Sequence, residues 1–118
     1  MKTFIASLII LVLVSGAIIA NAIYVDNLLG DISNEANKLT PESHQIFDQV
    51  YSSWEKNRDF VAISAPHEKI DDVDMTMTIM KELYSNNSFL NFYEYKATLL
   101  EYIEEIQNHE RLSFDSIF

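Results

Sequence analysis

From Thr3 to Val25 no residue carries a charge, and the run TFIASLIILVLVSGAIIANAIYV is apolar almost throughout. A helix rises 1.5 Å per residue, so about 20 apolar residues cross the roughly 30 Å hydrocarbon core of a bilayer. Residues 1–25 therefore read as an N-terminal transmembrane anchor. Phe4, Leu8, Leu11, Leu13 and Ile18 are its apolar body, and Tyr24 stands where an interfacial aromatic belongs. Lys2 precedes the run, whereas Asp26, Asp31 and Glu35 follow it before the next basic residue, Lys38. The positive-inside bias leaves the N-terminus in the cytoplasm and sends the remainder across. The expected location is the cell membrane, single-pass, with the C-terminal domain extracytoplasmic.

A cleaved signal peptide is the rival reading. Ala20-Asn21-Ala22 fits the A-x-A cleavage pattern, and a basic residue followed by an apolar run fits the rest. Against cleavage, the apolar stretch Phe4–Ala20 exceeds the usual h-region and continues into Ile23, Tyr24 and Val25. Both outcomes export the domain. Gly16 and Ala20 form a small-xxx-small pair that would let two such helices approach as a homodimer, although small residues are frequent in any membrane helix.

Beyond the anchor, turn residues are scarce. Gly16, Gly30, Pro41 and Pro66 are the only glycines and prolines, too few for a β-rich fold of this length. An all-α fold needs only a few breaks. All 18 acidic residues and seven of the eight basic ones lie after Val25, so this domain carries a formal net charge of 7 − 18 = −11. Such a surface repels nucleic acid and anionic lipid headgroups alike. The absence of cysteine excludes disulfides, thiolate nucleophiles and zinc ribbons.

Residues 26–40 carry Leu28, Leu29, Ile32, Ala36 and Leu39 at helical spacing, and read as a juxtamembrane extension of the anchor with Gly30 as a soft point. Residues 41–118 form the acidic bundle domain. Thr40 as N-cap and Pro41 at the first helical position open a helix with Phe47, Val50, Trp54 and Val61 on one stripe, ending near Ser64 ahead of Pro66. A second starts near Pro66 and repeats Ile70, Val73, Met77, Met80 and Tyr84. Ser88 is placed to cap a third, about Phe89 to Asn108, with Phe92, Leu99, Ile103 and Ile106 on one face. The predicted architecture is a transmembrane helix extending into a small antiparallel three-helix bundle, up-down-up. Ile117 and Phe118 in the tail are expected to fold back onto it.

Candidate chemistry is sparse. His67 and Asp71, four apart on one helix face within the segment His67–Asp74, have a spacing that supplies two metal ligands. A calcium loop does not fit, because Asp72-Val73-Asp74 lacks the required glycine and Leu83 stands where a bidentate glutamate belongs. Glu105 and His109 repeat the four-residue spacing without a second copy to build a di-metal site. Acidic residues in a first helical turn suit the dipole and need no metal. No serine sits in a glycine-supported elbow, and Glu104 and Glu105 point to different faces, so no catalytic residue and no cofactor are assigned. Asn86-Asn87-Ser88 matches a glycosylation sequon but reads as a loop. Trp54, the single tryptophan, suits a core position better than an exposed anchor for a partner.

Three segments, in order, carry a resemblance: Trp54 with Lys56, His67-Glu68-Lys69-Ile70-Asp71, and Glu110-Arg111-Leu112-Ser113-Phe114-Asp115-Ser116-Ile117-Phe118. With these the chain resembles an uncharacterised bacterial family, domain of unknown function 4363, over most of its length beyond the anchor. Lys69 and Ser116 depart from that pattern, which has an acidic residue and an asparagine there. The resemblance implies a membrane segment followed by a helical region, and no activity.

The expected function is a membrane-anchored, non-enzymatic helical module of the cell envelope, binding another envelope protein or a second copy of itself. Nine aromatic residues of the domain, Phe47, Tyr51, Trp54, Phe60, Tyr84, Phe89, Phe92, Tyr93 and Tyr95, are more rings than a small core requires. Trp54, His67, Phe114 and Phe118 are the candidate partner contacts. The alternative is a secreted ligand- or metal-binding domain released by cleavage near Ala22.

Overall fold

The computed structural model describes residues 1–117 and, beyond Leu112, only the course of the backbone. The described residues form four helices and no strand: α1 (Lys2–Ala36), α2 (His44–Ser64), α3 (His67–Asn86) and α4 (Phe92–Ile117). The molecule is a rod, 67 Å long and 21 Å across each way.

The all-α expectation holds, but the bundle has four helices, not three. Val25, Leu29, Ile32, Ala36 and Leu39 are buried, so the outer half of α1 is a full wall of the bundle rather than an extension beneath it. The apolar stripe is visible in the sequence. Its meaning depends on a groove between α2 and α4 that only the folded domain supplies. α1 packs on α2 and closes the ring against α4, while α2 packs on α3 and α3 on α4.

All four neighbouring pairs run antiparallel. Along α1 and α4, the Leu39 carbonyl meets Lys96, and Asp26 meets Gln107 and Arg111. Between α1 and α2, Tyr24 packs edge-on against Phe60 and Asn21 reaches Ser64. Trp54 of α2 meets Asp74 of α3, and Lys69 near the start of α3 meets Glu105 late in α4. Short connections between successive helices favour this antiparallel arrangement.

The breaks follow local chemistry. α2 stops at Ser64 because Ala65 is extended (φ −91°, ψ 147°) ahead of Pro66, as a residue preceding proline is pushed to be. Asn87 ends α3 in the left-handed region (φ 48°), and the Ser88 amide bonds back to the Leu83 carbonyl. Two expected starts move. Thr40 and Pro41 occupy a turn instead of opening α2, because Ser43 Oγ accepts the Thr40 amide at 2.8 Å and donates to the Thr40 carbonyl at 2.9 Å. Pro41 suits the second position of that turn. Ser88 does not cap α4: Asn91, left-handed at φ 62°, receives the amides of Glu94 and Tyr95 on its carbonyl. α4 also runs past Asn108 to Ile117, where neither glycine nor proline interrupts it.

The end of the bundle remote from the apolar stalk is closed by aromatic rings around Tyr84. Phe47 stacks on it at 4.6 Å, and His44, Phe89 and Phe92 meet it edge-on at 5.0, 5.3 and 5.7 Å. The Tyr84 hydroxyl donates to the Thr40 carbonyl at 2.7 Å, tying the end of α3 to the turn between α1 and α2. Four of the nine rings noted in the sequence, Phe47, Tyr84, Phe89 and Phe92, are consumed by this packing. Phe60 and Tyr93 stay exposed.

Candidate functional site

α1 changes character along its length. Phe4, Leu8, Leu11, Leu13 and Ile18 touch little of the protein and are exposed, and burial begins only at Ala22. By length and composition this helix is apolar enough to cross a membrane or to serve as a signal sequence. Tyr24, half exposed, lies at the level where the stalk enters the bundle, beside exposed Phe60.

The most distinctive polar group sits at this same level. Glu110 on α4 is 1% exposed, and Ser64 Oγ donates to its Oε1 at 2.6 Å. Ser64 Oγ in turn accepts the Asn21 side-chain amide at 3.2 Å, so one hydroxyl links α1, α2 and α4. His109 Nε2 lies 3.2 Å from the Ser64 carbonyl, one of the carbonyls that the C-terminus of α2 leaves without a helical partner. The second carboxylate oxygen of Glu110 is buried and has no hydrogen-bond partner among the described residues. Native proteins satisfy nearly all such atoms. An open cavity of about 360 Å³ is lined by Ala17, Ile18, Asn21, Ala22, Ile63, Ser64 and Glu110.

A second polar node lies mid-bundle. Trp54 has no exposed surface, and its Nε1–H donates to Asp74 Oδ1 at 2.7 Å. Arg58 donates from Nε to Asp74 Oδ2 at the same distance, and that hydrogen bond, reinforced by the carboxylate's charge, raises the Arg58 pKa further above its ordinary range. The indole N–H and both oxygens of the Asp74 carboxylate are thereby spent on one another and on Arg58.

The candidates named from sequence are dispersed. Trp54 uses both ring and N–H inside the bundle. His67 and Asp71 are exposed at the start of α3, and among the described residues no three histidine, aspartate or glutamate side chains gather to hold a metal ion. The Phe114 side chain and Phe118 lie outside the described residues, as does the expected packing of the tail. Asn21, Ser64 and Glu110, which the structure does bring together, lie 43 and 46 positions apart along the chain. The one hint in the sequence is Asn21, a carboxamide within an otherwise apolar stretch, which pattern reading takes as part of a cleavage motif.

A family model described as domain of unknown function (DUF4363) matches residues 19–117, a span that takes in the whole bundle and all three residues of the Asn21–Ser64–Glu110 chain. No curated protein and no solved structure matches the chain.

Proposed function

The chain belongs to the family described as domain of unknown function (DUF4363), and for it we propose the role of a single-pass membrane module that holds a rigid four-helix bundle outside the cytoplasm. The observation that carries this reading is the continuity of α1. One helix passes from an exposed apolar stalk into the bundle core without a hinge, so whatever holds the stalk also fixes the bundle. Exposed apolar surface of that length is costly in water and favourable in lipid.

Retention of the stalk is favoured over release. Cleavage after Ala22 would sever the Asn21–Ser64 bond and open the bundle beside Val25, whereas an uncleaved chain keeps both. Lys2 before the stalk and the acidic face after it favour a cytoplasmic N-terminus.

The module is read as non-enzymatic. Its Trp54–Asp74–Arg58 node is satisfied internally, and its role is to bind another envelope protein or a second copy of itself. Intact mass of the membrane fraction tests retention: 13.6 kDa is expected, and a species beginning at Ile23 contradicts it. Labelling Ser52→Cys with a membrane-impermeant maleimide in intact cells tests sidedness, with modification expected. Crosslinking in membranes followed by mass spectrometry tests partnership, and the absence of any reproducible partner argues against it.

A further inference from the structure

We propose that the cavity lined by Glu110 binds the primary-ammonium headgroup of a membrane phospholipid, with the Glu110 carboxylate accepting from the ammonium. The inference deepens the membrane reading above and rests on it. Three observations meet at the cavity. A carboxylate 1% exposed keeps one oxygen without a donor among the described residues, although its other oxygen is held by Ser64. A buried acceptor of this kind calls for a donor, and a cationic one gains most. Apart from Asn21 and Ser64, which are bonded to each other, the remaining wall, Ala17, Ile18, Ala22 and Ile63, is apolar, so the occupant has a donor head on an apolar body.

Position selects the lipid. About 20 residues of helix span the hydrocarbon core, which places Asn21 and Ala22 at the depth of the headgroups when the stalk is inserted. The cavity opens beside the stalk at that depth. The strongly acidic domain disfavours anionic lipids but has no quarrel with a zwitterionic lipid whose cationic end points toward Glu110. Hydrogen-bond donation is the discriminating chemistry. An ethanolamine headgroup has N–H donors, whereas a choline headgroup carries the same charge and has none.

The test uses the full chain in nanodiscs containing ethanolamine and choline phospholipids together. Lipids retained on the protein after release from the disc are counted by native mass spectrometry. Wild type is expected to retain the ethanolamine lipid over the choline lipid by about tenfold, the factor that one charge-assisted hydrogen bond supplies. Glu110→Gln is expected to abolish the preference, and Glu105→Gln, whose carboxylate pairs with Lys69 on the surface, to leave it intact. Should Glu110→Gln fail to fold, Ala17→Trp decides the question: it fills the cavity from the exposed stalk, leaves Glu110 in place, and is expected to abolish the preference with unchanged circular dichroism. Equal retention of both lipids by wild type overturns the proposal, as does a preference that survives Ala17→Trp. Free ethanolamine that displaces the lipid at comparable concentration assigns the site to a soluble amine and overturns the lipid source. A chain that fails to enter the nanodisc at all overturns the membrane reading instead, which separates the two failures.

Discussion

Trp54 on α2 and Asp74 on α3 are joined by a 2.7 Å hydrogen bond from a fully buried indole to a carboxylate that Arg58 holds from the outside. The bond lets a large ring fill the core without stranding its N–H. Because Trp54 is the chain's single tryptophan, its fluorescence reports the state of the bundle alone.

Asp74→Ala removes the acceptor and leaves a buried donor unsatisfied. Such a loss costs about 1–3 kcal/mol. Urea unfolding in mild detergent, followed by Trp54 emission, should show a lower midpoint. Asp74→Asn keeps an acceptor for the indole and should lie between the two.

The four-helix reading assigns α1 two separate duties. Leu29→Ala, in the buried wall, should destabilise the bundle by about 2–5 kcal/mol in the same assay. Leu8→Ala, in the exposed stalk, should stay within about 0.5 kcal/mol of wild type. Equal effects would mean that α1 is not a wall of the bundle.

Gly30 sits inside α1 with ordinary helical backbone, and a methyl group there would meet only the Gln107 side chain at 3.6 Å, normal contact distance. Gly30→Ala should therefore stabilise the bundle, by about 0.5–1 kcal/mol, since alanine loses less backbone freedom on folding. The soft point expected from sequence is a site where stability was left unclaimed.

Burial raises the Tyr84 phenol above its ordinary pKa of 10.0, against a smaller opposing effect of the Ser43 hydroxyl. The folded chain thus holds this proton more tightly than the unfolded chain. Stability from this group is fully present below pH 10.0 and declines as pH rises from there through the folded value. Tyr84→Phe should flatten that alkaline decline in denaturant titrations. At neutral pH it should cost about 0.5–1.5 kcal/mol for the lost bond to the Thr40 carbonyl.

Helix type and most of the core were legible in the sequence, because Ile70, Val73, Met77, Met80 and Tyr84 repeat at a spacing that only a helix uses. Pro66 marked the break between α2 and α3 for the same local reason. The number of helices was not legible. The stripe from Leu28 to Leu39 is equally compatible with a partner helix, a juxtamembrane rod or a bundle wall, and only tertiary packing decides. The polar chain at the foot of the bundle was hidden more deeply. Asn21, Ser64 and Glu110 are ordinary residues singly, and their meeting depends on the antiparallel register of three helices. Ser43 displaced Thr40 at the start of α2 because one hydroxyl satisfied both the amide and the carbonyl of Thr40, a competition that propensity does not weigh.

An electron–electron spin distance across α1 tests most directly that stalk and bundle share one unbroken helix. The chain has no cysteine, so Ile9→Cys/Asn34→Cys carries nitroxide labels only at two exposed positions, on nearly one helix face. In lipid nanodiscs a continuous helix gives a single narrow distribution centred at about 38 Å. A broad distribution reaching much shorter distances, or no dipolar coupling because the two sites have been separated by cleavage, contradicts the account.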